Sequence, residues 1–335
     1  MPGNAQFLPG DEELLSRAAE FGECPQLSDC SQLKISEIST RRGIDFATAV
    51  LYDRALRNPI HSRFFQQVQE TTATTFYRRP LVGIVPGAFY REHKGTGADG
   101  VRLAAILQSI GCRVERVPIE SFGSLKTNAA LIAKWLSEHH SEPLILLTLS
   151  KGSADVKMCL RLEPEKLSDV AGWISLSGLP DGTPLVSWLR RQPLRKLGVR
   201  MLLLLRGQRY SVVEELRCDR EAPLEGWPAS PVPITHVVAV PLRRHLTHPW
   251  APRGYERIAP LGPNDGGGFL LSDVAGLPGV IFPVWGADHY LQPAWDATSL
   301  LSRVLAEAIA SGLALLQTNQ SAARPINPPA SKSIA

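Results

Sequence analysis

Between residues 81 and 316 the chain alternates short apolar runs with longer amphipathic segments, and this alternation constrains the fold more than any other feature. Uninterrupted apolar runs of about four to eight residues are typical of strands that are buried on both faces. Apolar residues spaced three or four apart mark one side of a helix instead. The alternation of the two patterns predicts an α/β fold in which helices cover both faces of a mostly parallel central sheet.

Six strands are predicted, at residues 81–86, 113–119, 144–149, 171–177, 234–241 and 279–285. Helices are predicted at residues 98–110, 125–140, 154–162 and from about 294 to 316. The chain has 335 residues, of which 44% are hydrophobic and 20% charged, so it can bury a large core. We therefore expect one main domain over residues 80–316.

Residues 179–233 differ in composition and hydrophobic pattern from the segments on either side. They contain Trp188, an apolar run at residues 201–205, a proline-rich exit, and a basic cluster of Arg190, Arg191, Arg195 and Lys196. We interpret this segment as an insertion that caps the sheet. A core strand at residues 201–205 remains an alternative, because periodicity alone does not separate the two.

The two ends of the chain have different predicted roles. Residues 1–79 carry apolar residues at helical spacing, which predicts a helical arm laid on the main domain. An element through which two copies form a homodimer is the alternative interpretation of this arm. Residues 317–335 are polar and rich in proline, which predicts a disordered tail.

The charge pattern argues against a nucleic-acid partner. The formal net charge of +4 comes from 36 basic and 32 acidic residues spread along the chain. Such a charge is too small and too dispersed to predict nucleic-acid binding. The glycine-containing stretch at residues 95–100, GTGADG, follows a polar loop and lacks the third glycine of the dinucleotide fingerprint. Nucleotide binding is therefore not predicted.

Cysteine usage and the absence of targeting patterns indicate the cytoplasm. The five cysteines are scattered and form no CxxC pair, so the sequence predicts neither a disulfide framework nor a zinc site. The first residues lack the basic start and apolar run of a secretory signal. The most apolar stretch, at residues 201–205, is far shorter than the roughly 20 residues that cross a bilayer, so no membrane span is predicted.

A candidate nucleophile, Ser150, stands where the predicted strand 144–149 runs into a helix, in the sequence TLSKGS. A sharp turn from strand to helix lifts a serine hydroxyl above the sheet edge and leaves the next backbone N–H free to bind an oxyanion. The GxSxG pattern is half met, since Thr148 replaces its first glycine and Gly152 keeps the second. A plain connecting turn is the alternative.

A second small-residue turn, PGAFY, follows the first predicted strand. Reacting groups in open α/β sheets lie beyond the carboxyl ends of the strands. The backbone N–H of Ala88 or Phe89 is therefore a candidate to pair with that of Lys151 in an oxyanion hole. An ordinary glycine turn at the end of a strand is the alternative.

His289 is the candidate general base, because it follows the last predicted strand in the loop WGADHY. A serine hydroxyl is a poor nucleophile near neutral pH and needs a base whose pKa lies close to it. The other histidines lie on predicted helices, near the cap or on less constrained loops: His61, His93, His139, His140, His236, His245 and His248.

Asp265 is the candidate acid that orients the histidine, and it lies in the turn LGPNDGGG between the last two strands. A buried carboxylate there would accept the second imidazole N–H and fix the tautomer. Asn-Asp-Gly is also a good plain turn, and Asp288, Asp273 and Asp181 are rivals. Asp181 is the strongest of these because it follows the strand at residues 171–177.

The order Ser150, Asp265, His289 is the nucleophile, acid, histidine order of α/β-hydrolases. Over about residues 81–316, the motifs VPGAF, TLSKGS, GPNDGG and WGADH resemble that superfamily, and within it the lipase and esterase-like members. Some bacterial lipases similarly carry the catalytic aspartate in an NDG turn, so the resemblance favours Asp265 over Asp181. Thr148 in place of glycine departs from the pattern.

The resemblance implies hydrolysis of a small-molecule ester or thioester through an acyl-enzyme, with no metal or organic cofactor. The apolar, tryptophan-bearing cap favours a hydrophobic acyl or aromatic substrate. Two other functions stay open. One is an acyltransferase that uses the same three residues, and the other is a non-catalytic scaffold that binds a small molecule or a partner protein.

Overall fold

The computed structural model of the protein describes residues 7–71, 75–139, 143–219, 222–293 and 295–322. Its centre is a six-stranded sheet whose neighbouring strands all pair in parallel. The strands are β1 (Leu81–Val85), β2 (Arg113–Arg116), β3 (Leu144–Leu149), β4 (Val170–Leu176), β5 (Ile234–Val240) and β6 (Val280–Trp285). The predicted parallel sheet is confirmed, and the strand boundaries differ from the predictions by at most three residues.

The strand order is β2-β1-β3-β4-β5-β6, so the direction of winding reverses between β1 and β3. Every residue of β1, β3 and β4 is buried, as their uninterrupted apolar sequences require. The edge strand β2 is the exception, with both arginines exposed at its ends. Because all strands run the same way, their carboxyl ends share one edge, and ligands bind there in open parallel sheets.

Twelve α-helices surround the sheet in the described part of the chain. They are α1 (Asp11–Ala19), α2 (Gln32–Arg42), α3 (Ile44–Arg57), α4 (Pro59–Glu70), α5 (Val101–Ser109), α6 (Leu125–Glu138), α7 (Lys151–Leu162), α8 (Pro184–Arg190), α9 (Pro193–Leu205), α10 (Ser211–Glu215), α11 (Ala251–Ile258) and α12 (Thr298–Ala322). Helices α4, α5 and α12 pack on one face of the sheet. Helices α6 and α7 pack on the other face, and α1 to α3 continue that layer over β5 and β6.

The first four helices form the arm, and its apolar side faces the sheet. Asp11 at the start of α1 is fully buried and fixes this contact. Its Oδ2 atom accepts hydrogen bonds from Trp285 Nε1 at 2.9 Å and from His245 Nε2 at 3.0 Å. Trp285 is the last residue of β6, so the arm is tied to the strand that leads into His289.

The apolar run at residues 201–205 lies in α9, between α8 and α10 in the segment expected to cap the sheet. The alternative of a core strand there is therefore wrong. Within the run only Leu203 is buried, because α9 turns one side toward the domain and the other toward solvent.

The terminal helix α12 extends to Ala322 and so includes residues 317–322 of the predicted tail; residues 323–335 lie outside the described residues. Its stretch Thr298–Thr318 has a mean hydropathy of 1.5 and is long and apolar enough to cross a membrane, which the sequence analysis did not anticipate. Leu301, Val304 and Ile309 on this helix are buried against the sheet. A core helix passes the same test of length and composition.

Candidate active site

Ser150 forms the turn between β3 and α7, with φ of 48° and ψ of −118°. A positive φ is a strained conformation for a side chain other than glycine, and it persists only where the surroundings enforce it. Two backbone hydrogen bonds do so, from Ser150 N to Leu176 O at 3.3 Å and from Leu179 N to Ser150 O at 3.0 Å. The turn therefore holds the hydroxyl at the carboxyl edge of the sheet, as the strand-to-helix junction predicts.

Gly152 has a steric reason to be glycine. A Cβ atom at this position would lie 2.6 Å from the carbonyl oxygen of Val85 and 2.8 Å from that of Pro86. The first turn of α7 therefore packs directly on the backbone at the end of β1. This contact also brings the PGAFY turn beside Ser150, since a Cβ on Gly87 would lie 3.3 Å from Ser150 Cβ.

Thr148, which replaces the first glycine of the motif, takes part in a buried hydroxyl network. Its Oγ1 accepts a hydrogen bond from Trp173 Nε1 at 2.9 Å and lies 2.7 Å from Ser153 Oγ. Ser153 Oγ is also 2.9 Å from Ser175 Oγ on the neighbouring strand. The fully buried threonine is thus accommodated because its hydroxyl is satisfied beneath the turn. Sequence reasoning missed this network, although Thr148 and Ser175 occupy paired positions on β3 and β4.

His289 lies in the loop after β6, and its ring reaches both candidate partners. The Ser150 hydroxyl lies 3.0 Å from Nε2, and Nδ1 lies 2.6 Å from Asp265 Oδ2. The backbone N–H of His289 also donates to the carbonyl of Asp265 at 2.8 Å, which fixes the loop that carries the ring. The structure therefore brings Ser150, His289 and Asp265 together in one continuous chain of hydrogen bonds.

The NDGGG turn explains how Asp265 is held. Its buried Oδ1 accepts backbone N–H groups from Gly267 at 2.9 Å, Gly268 at 3.0 Å and Phe269 at 2.9 Å. Oδ2 is left to face the imidazole. Gly267 also makes room for the ring, because a Cβ there would lie 2.0 Å from His289 Cγ. The turn thus supplies a fixed carboxylate and the space beside it.

The charges around His289 change its pKa. Burial lowers the pKa of the imidazole, but the charge of Asp265 and the hydrogen bond to it raise the pKa, and nearby Asp288 adds to the increase. The net effect is a pKa above the ordinary value of histidine. An imidazole of raised pKa accepts a proton more readily, and the adjacent carboxylate stabilises the imidazolium that results.

The three rival carboxylates lie in other surroundings. Asp288 is buried and accepts the backbone N–H groups of Thr247 at 3.1 Å and His248 at 3.0 Å. Asp181 pairs with the buried Lys157 ammonium, and Trp227 Nε1 lies 3.4 Å from its second oxygen. Asp273 is half-buried, and desolvation and the nearby charge of Asp181 raise its pKa to about 7. Among the described residues, none of the three hydrogen-bonds His289.

The backbone donors near Ser150 differ in availability. The N–H groups of Ala88 and Lys151 make no hydrogen bond within the part of the chain that the structure describes, and both residues line the cavity beside Ser150. The prediction for Phe89 is wrong. Its N–H donates to the carbonyl of Ser121 at 2.9 Å, because the chain reverses at Phe89 with φ of 58° and pairs with the loop before α6.

The side chain of Lys151 is buried beside the turn, and its Nζ lies 2.6 Å from Asp155 Oδ1 on the next turn of α7. Asp155 Oδ2 accepts a hydrogen bond from Asn128 Nδ2 at 3.0 Å. Burial raises the pKa of Asp155, while the Lys151 charge opposes the increase. The spacing of four residues on α7 signals this pair in the sequence, but sequence reasoning assigned only the backbone of Lys151.

A cavity of about 490 Å³ opens at Ser150 and His289. Its walls are mostly apolar, with Leu176 and Leu291 from the main domain and a larger set from the cap. The cap residues include Val186, Leu189, Val199, Leu203, Val213 and Leu216. Phe89 and Phe122 stack beside it, with ring centroids 4.2 Å apart. The geometry therefore combines a serine, a histidine and a carboxylate with a site suited to apolar groups.

No protein-family model matches the sequence, and no curated protein matches it. Similar solved structures include the metagenomic carboxyl esterase MGS0156, with 18% sequence identity and a TM-score of 0.50, over 73% of this chain and 78% of that one. The mature Bacillus licheniformis lipase BlEst2 has 17% identity and a TM-score of 0.48, over 71% of this chain and 91% of that one. Likeness at this identity concerns the fold. The parallel sheet, its strand order and the likeness to the carboxyl esterase together show that the chain has the α/β-hydrolase fold.

Proposed function

We propose that the protein is a serine hydrolase that cleaves a carboxylic ester or thioester through an acyl-enzyme intermediate. One observation carries the proposal. The Ser150 hydroxyl, the His289 ring and the Asp265 carboxylate form a hydrogen-bonded chain, with distances of 3.0 Å and 2.6 Å, at the mouth of an apolar cavity. A nucleophile, a base and an orienting acid in this arrangement are what acyl transfer requires.

In the proposed reaction, Ser150 Oγ attacks the carbonyl carbon while its proton moves to His289 Nε2. The resulting C–O bond turns the carbonyl oxygen into an oxyanion. The bond to the alcohol or thiol then breaks, and the leaving group takes the proton from His289. Water repeats the sequence on the acyl-enzyme, which releases the acid and restores Ser150. Asp265 stabilises the imidazolium in both halves and keeps Nε2 directed at the serine.

The developing oxyanion needs donors that are fixed before the reaction begins. The N–H groups of Ala88 and Lys151 support this role because neither makes another hydrogen bond in the described chain. The turn that carries Ala88 lies next to the nucleophile, since a Cβ on Gly87 would be 3.3 Å from Ser150 Cβ. We therefore assign the oxyanion hole to Ala88 and Lys151 and leave Phe89 out of it.

The cavity supports a hydrophobic acyl or aromatic substrate. Leucine and valine side chains of the cap and the stacked pair Phe89 and Phe122 offer few polar partners for a charged group. Apolar substrate atoms would therefore gain most from leaving water here. Hydrolysis rates for p-nitrophenyl esters of increasing chain length measure this preference. Rates that are highest for acetate and fall steadily with length would contradict it.

A fluorophosphonate probe tests the mechanism directly, because it reacts only with an activated serine. We expect the wild type to be labelled and both Ser150→Ala and His289→Ala to lose labelling. Ser168→Ala, at an exposed serine between the C-terminal end of α7 and β4, is the matched control and should be labelled as the wild type is. Absence of labelling in a folded wild type would refute the hydrolase mechanism and favour a non-catalytic scaffold. Acyl transfer to an added alcohol in preference to water would favour the acyltransferase.

We also propose a cytoplasmic location. All five cysteines are free thiols, which is typical of proteins in a reducing compartment: Cys24, Cys30, Cys112, Cys159 and Cys218.

A homodimer through the arm stays a prediction. Its apolar side already packs on the sheet, so a dimer would use the outer side, where Leu33 is 86% exposed. Light scattering of the wild type and of Leu33→Glu measures whether this surface joins two copies.

A further inference from the structure

Helix α9 of the cap is apolar on two opposite sides. Its inner side, with Val199 and Leu203, lines the cavity. Its outer side carries a second set of apolar residues that are between 51% and 84% exposed: Leu194, Leu197, Met201, Leu204 and Leu205. These five lie at positions i, i+3, i+7, i+10 and i+11, which is one face of a helix. We refer to them as the outer face of α9.

The segment that carries the outer face is rich in positive charge. Residues 190–209 contain seven basic residues and no aspartate or glutamate: Arg190, Arg191, Arg195, Lys196, Arg200, Arg206 and Arg209. Arg190 and Lys196 pair with Glu214, but Arg191 and Arg209 have no acidic partner among the described residues. Basic and acidic residues are nearly balanced over the whole sequence, but this part of the cap has a local excess of basic residues.

We propose that the outer face of α9 docks the protein onto the surface of an anionic lipid bilayer. An amphipathic helix with leucines on one side and arginines at its borders lies in the membrane interface, with its apolar side among the acyl chains. The arginines then meet anionic headgroups, which strengthens binding. A second copy of the chain fits the surface less well, because two such faces would bring like-charged arginines, Arg191 and Arg209 among them, toward each other.

Docking in this orientation has a geometric consequence for the cavity. Val199 and Leu203 on the inner side of α9 line the cavity. The thickness of this one helix therefore separates the cavity from the proposed membrane surface. Apolar molecules in the bilayer would thus be one helix away from Ser150. The docking itself does not depend on the proposed hydrolysis.

Vesicle sedimentation tests the proposal with the full-length protein. We expect binding to vesicles of phosphatidylcholine mixed with phosphatidylglycerol, weak binding to phosphatidylcholine alone, and loss of binding as salt is raised. The triple variant Leu194→Ser/Leu197→Ser/Met201→Ser should weaken binding at least about tenfold, because these exposed side chains supply apolar area that the bilayer buries. Arg191→Gln/Arg209→Gln should weaken it about tenfold or more, since each basic residue near an anionic surface contributes roughly fivefold.

Two matched controls keep the test specific. Leu33→Ser removes an equally exposed leucine from the arm, and Lys126→Gln/Lys134→Gln removes two charges from α6. Both should bind as the wild type does. Equal binding to the two kinds of vesicle, or no binding by the wild type, would overturn the proposal. A wild-type protein that is a dimer and does not bind vesicles, and that the triple outer-face variant converts to a monomer, would overturn it in favour of self-association.

The readouts also separate this proposal from the proposed function. The outer-face residues do not line the cavity, so the triple outer-face variant should react with fluorophosphonate and hydrolyse a short soluble ester at the wild-type rate. Labelling without vesicle binding would refute the docking alone. Vesicle binding without labelling would support the docking and refute the hydrolase mechanism.

Discussion

Gly267→Ala should disable the histidine while leaving the fold intact. A Cβ at this position would lie 2.0 Å from His289 Cγ and 2.3 Å from Cδ2, whereas ordinary van der Waals contact begins at 3.4 Å. The ring would have to move by about 1.4 Å, and a misplacement of about 1 Å costs roughly 100-fold in rate. We therefore expect kcat/KM to fall about 100-fold or more, which corresponds to about 2.7 kcal/mol of lost transition-state stabilisation.

The rate of fluorophosphonate labelling and kcat/KM for a short p-nitrophenyl ester measure this effect, and thermal unfolding checks that the variant is folded. The backbone of Gly267 is not in a left-handed conformation, so the methyl group and not backbone strain would cause the loss. Gly276→Ala is the matched control, because a Cβ at Gly276 meets nothing within 4 Å. Wild-type kinetics in a folded Gly267→Ala variant would refute the assigned position of the ring.

Three further predictions concern the acid, the pH profile and the arm. Asp265→Asn should lower kcat by about 10⁴-fold, because an amide can donate to Nδ1 and favour the wrong tautomer; steady-state kinetics measure this. The acid limb of kcat/KM should have its midpoint above pH 6.5, since the pKa of His289 is raised and only the neutral ring accepts a proton; a pH series of initial rates measures it. Asp11→Ala should destabilise the fold by about 3–5 kcal/mol, because it leaves buried donors unpaired; urea unfolding measures this.

Each of these predictions has an outcome that contradicts it. Retention of most activity in Asp265→Asn would mean that the carboxylate does not orient the histidine. An acid limb centred well below pH 6.5 would mean that burial dominates the pKa of His289. An unchanged urea midpoint in Asp11→Ala would mean that the arm is held by its apolar contacts alone. Glu12→Ala, one residue along and exposed, is the control for the last experiment.

The site residues that could be predicted from local sequence are those that combine a reactive side chain with a position directly after a predicted strand. Ser150 follows an unbroken apolar strand and precedes a helix, so its place at the sheet edge comes from local sequence alone. His289 likewise follows a strand directly. Asp265 needed the order of the three residues and a family resemblance, because NDG turns are common where no catalysis takes place.

The features that escaped prediction depend on contacts between distant segments. The N–H of Phe89 is engaged by Ser121, 32 residues further along, and nothing in the local sequence PGAFY signals that pairing. In the sequence Thr148 is only a departure from the GxSxG motif. The structure explains it, because Trp173 and Ser153 hydrogen-bond its hydroxyl. The run at residues 201–205 has the composition of a core strand, and only the tertiary fold assigns it to α9.

The hydrogen bond between Asp11 and Trp285 joins residues 274 positions apart, so it forms only after most of the chain has been synthesised. During synthesis the arm leaves the ribosome long before β6 exists, and at about 5–20 residues per second that delay lasts on the order of 10 to 60 seconds. Throughout it, the apolar side of α1 to α3 has no sheet to cover and is open to aggregation or to a chaperone. The strand that completes this surface also leads into His289, so one late step of assembly both buries the arm and brings the histidine to Ser150.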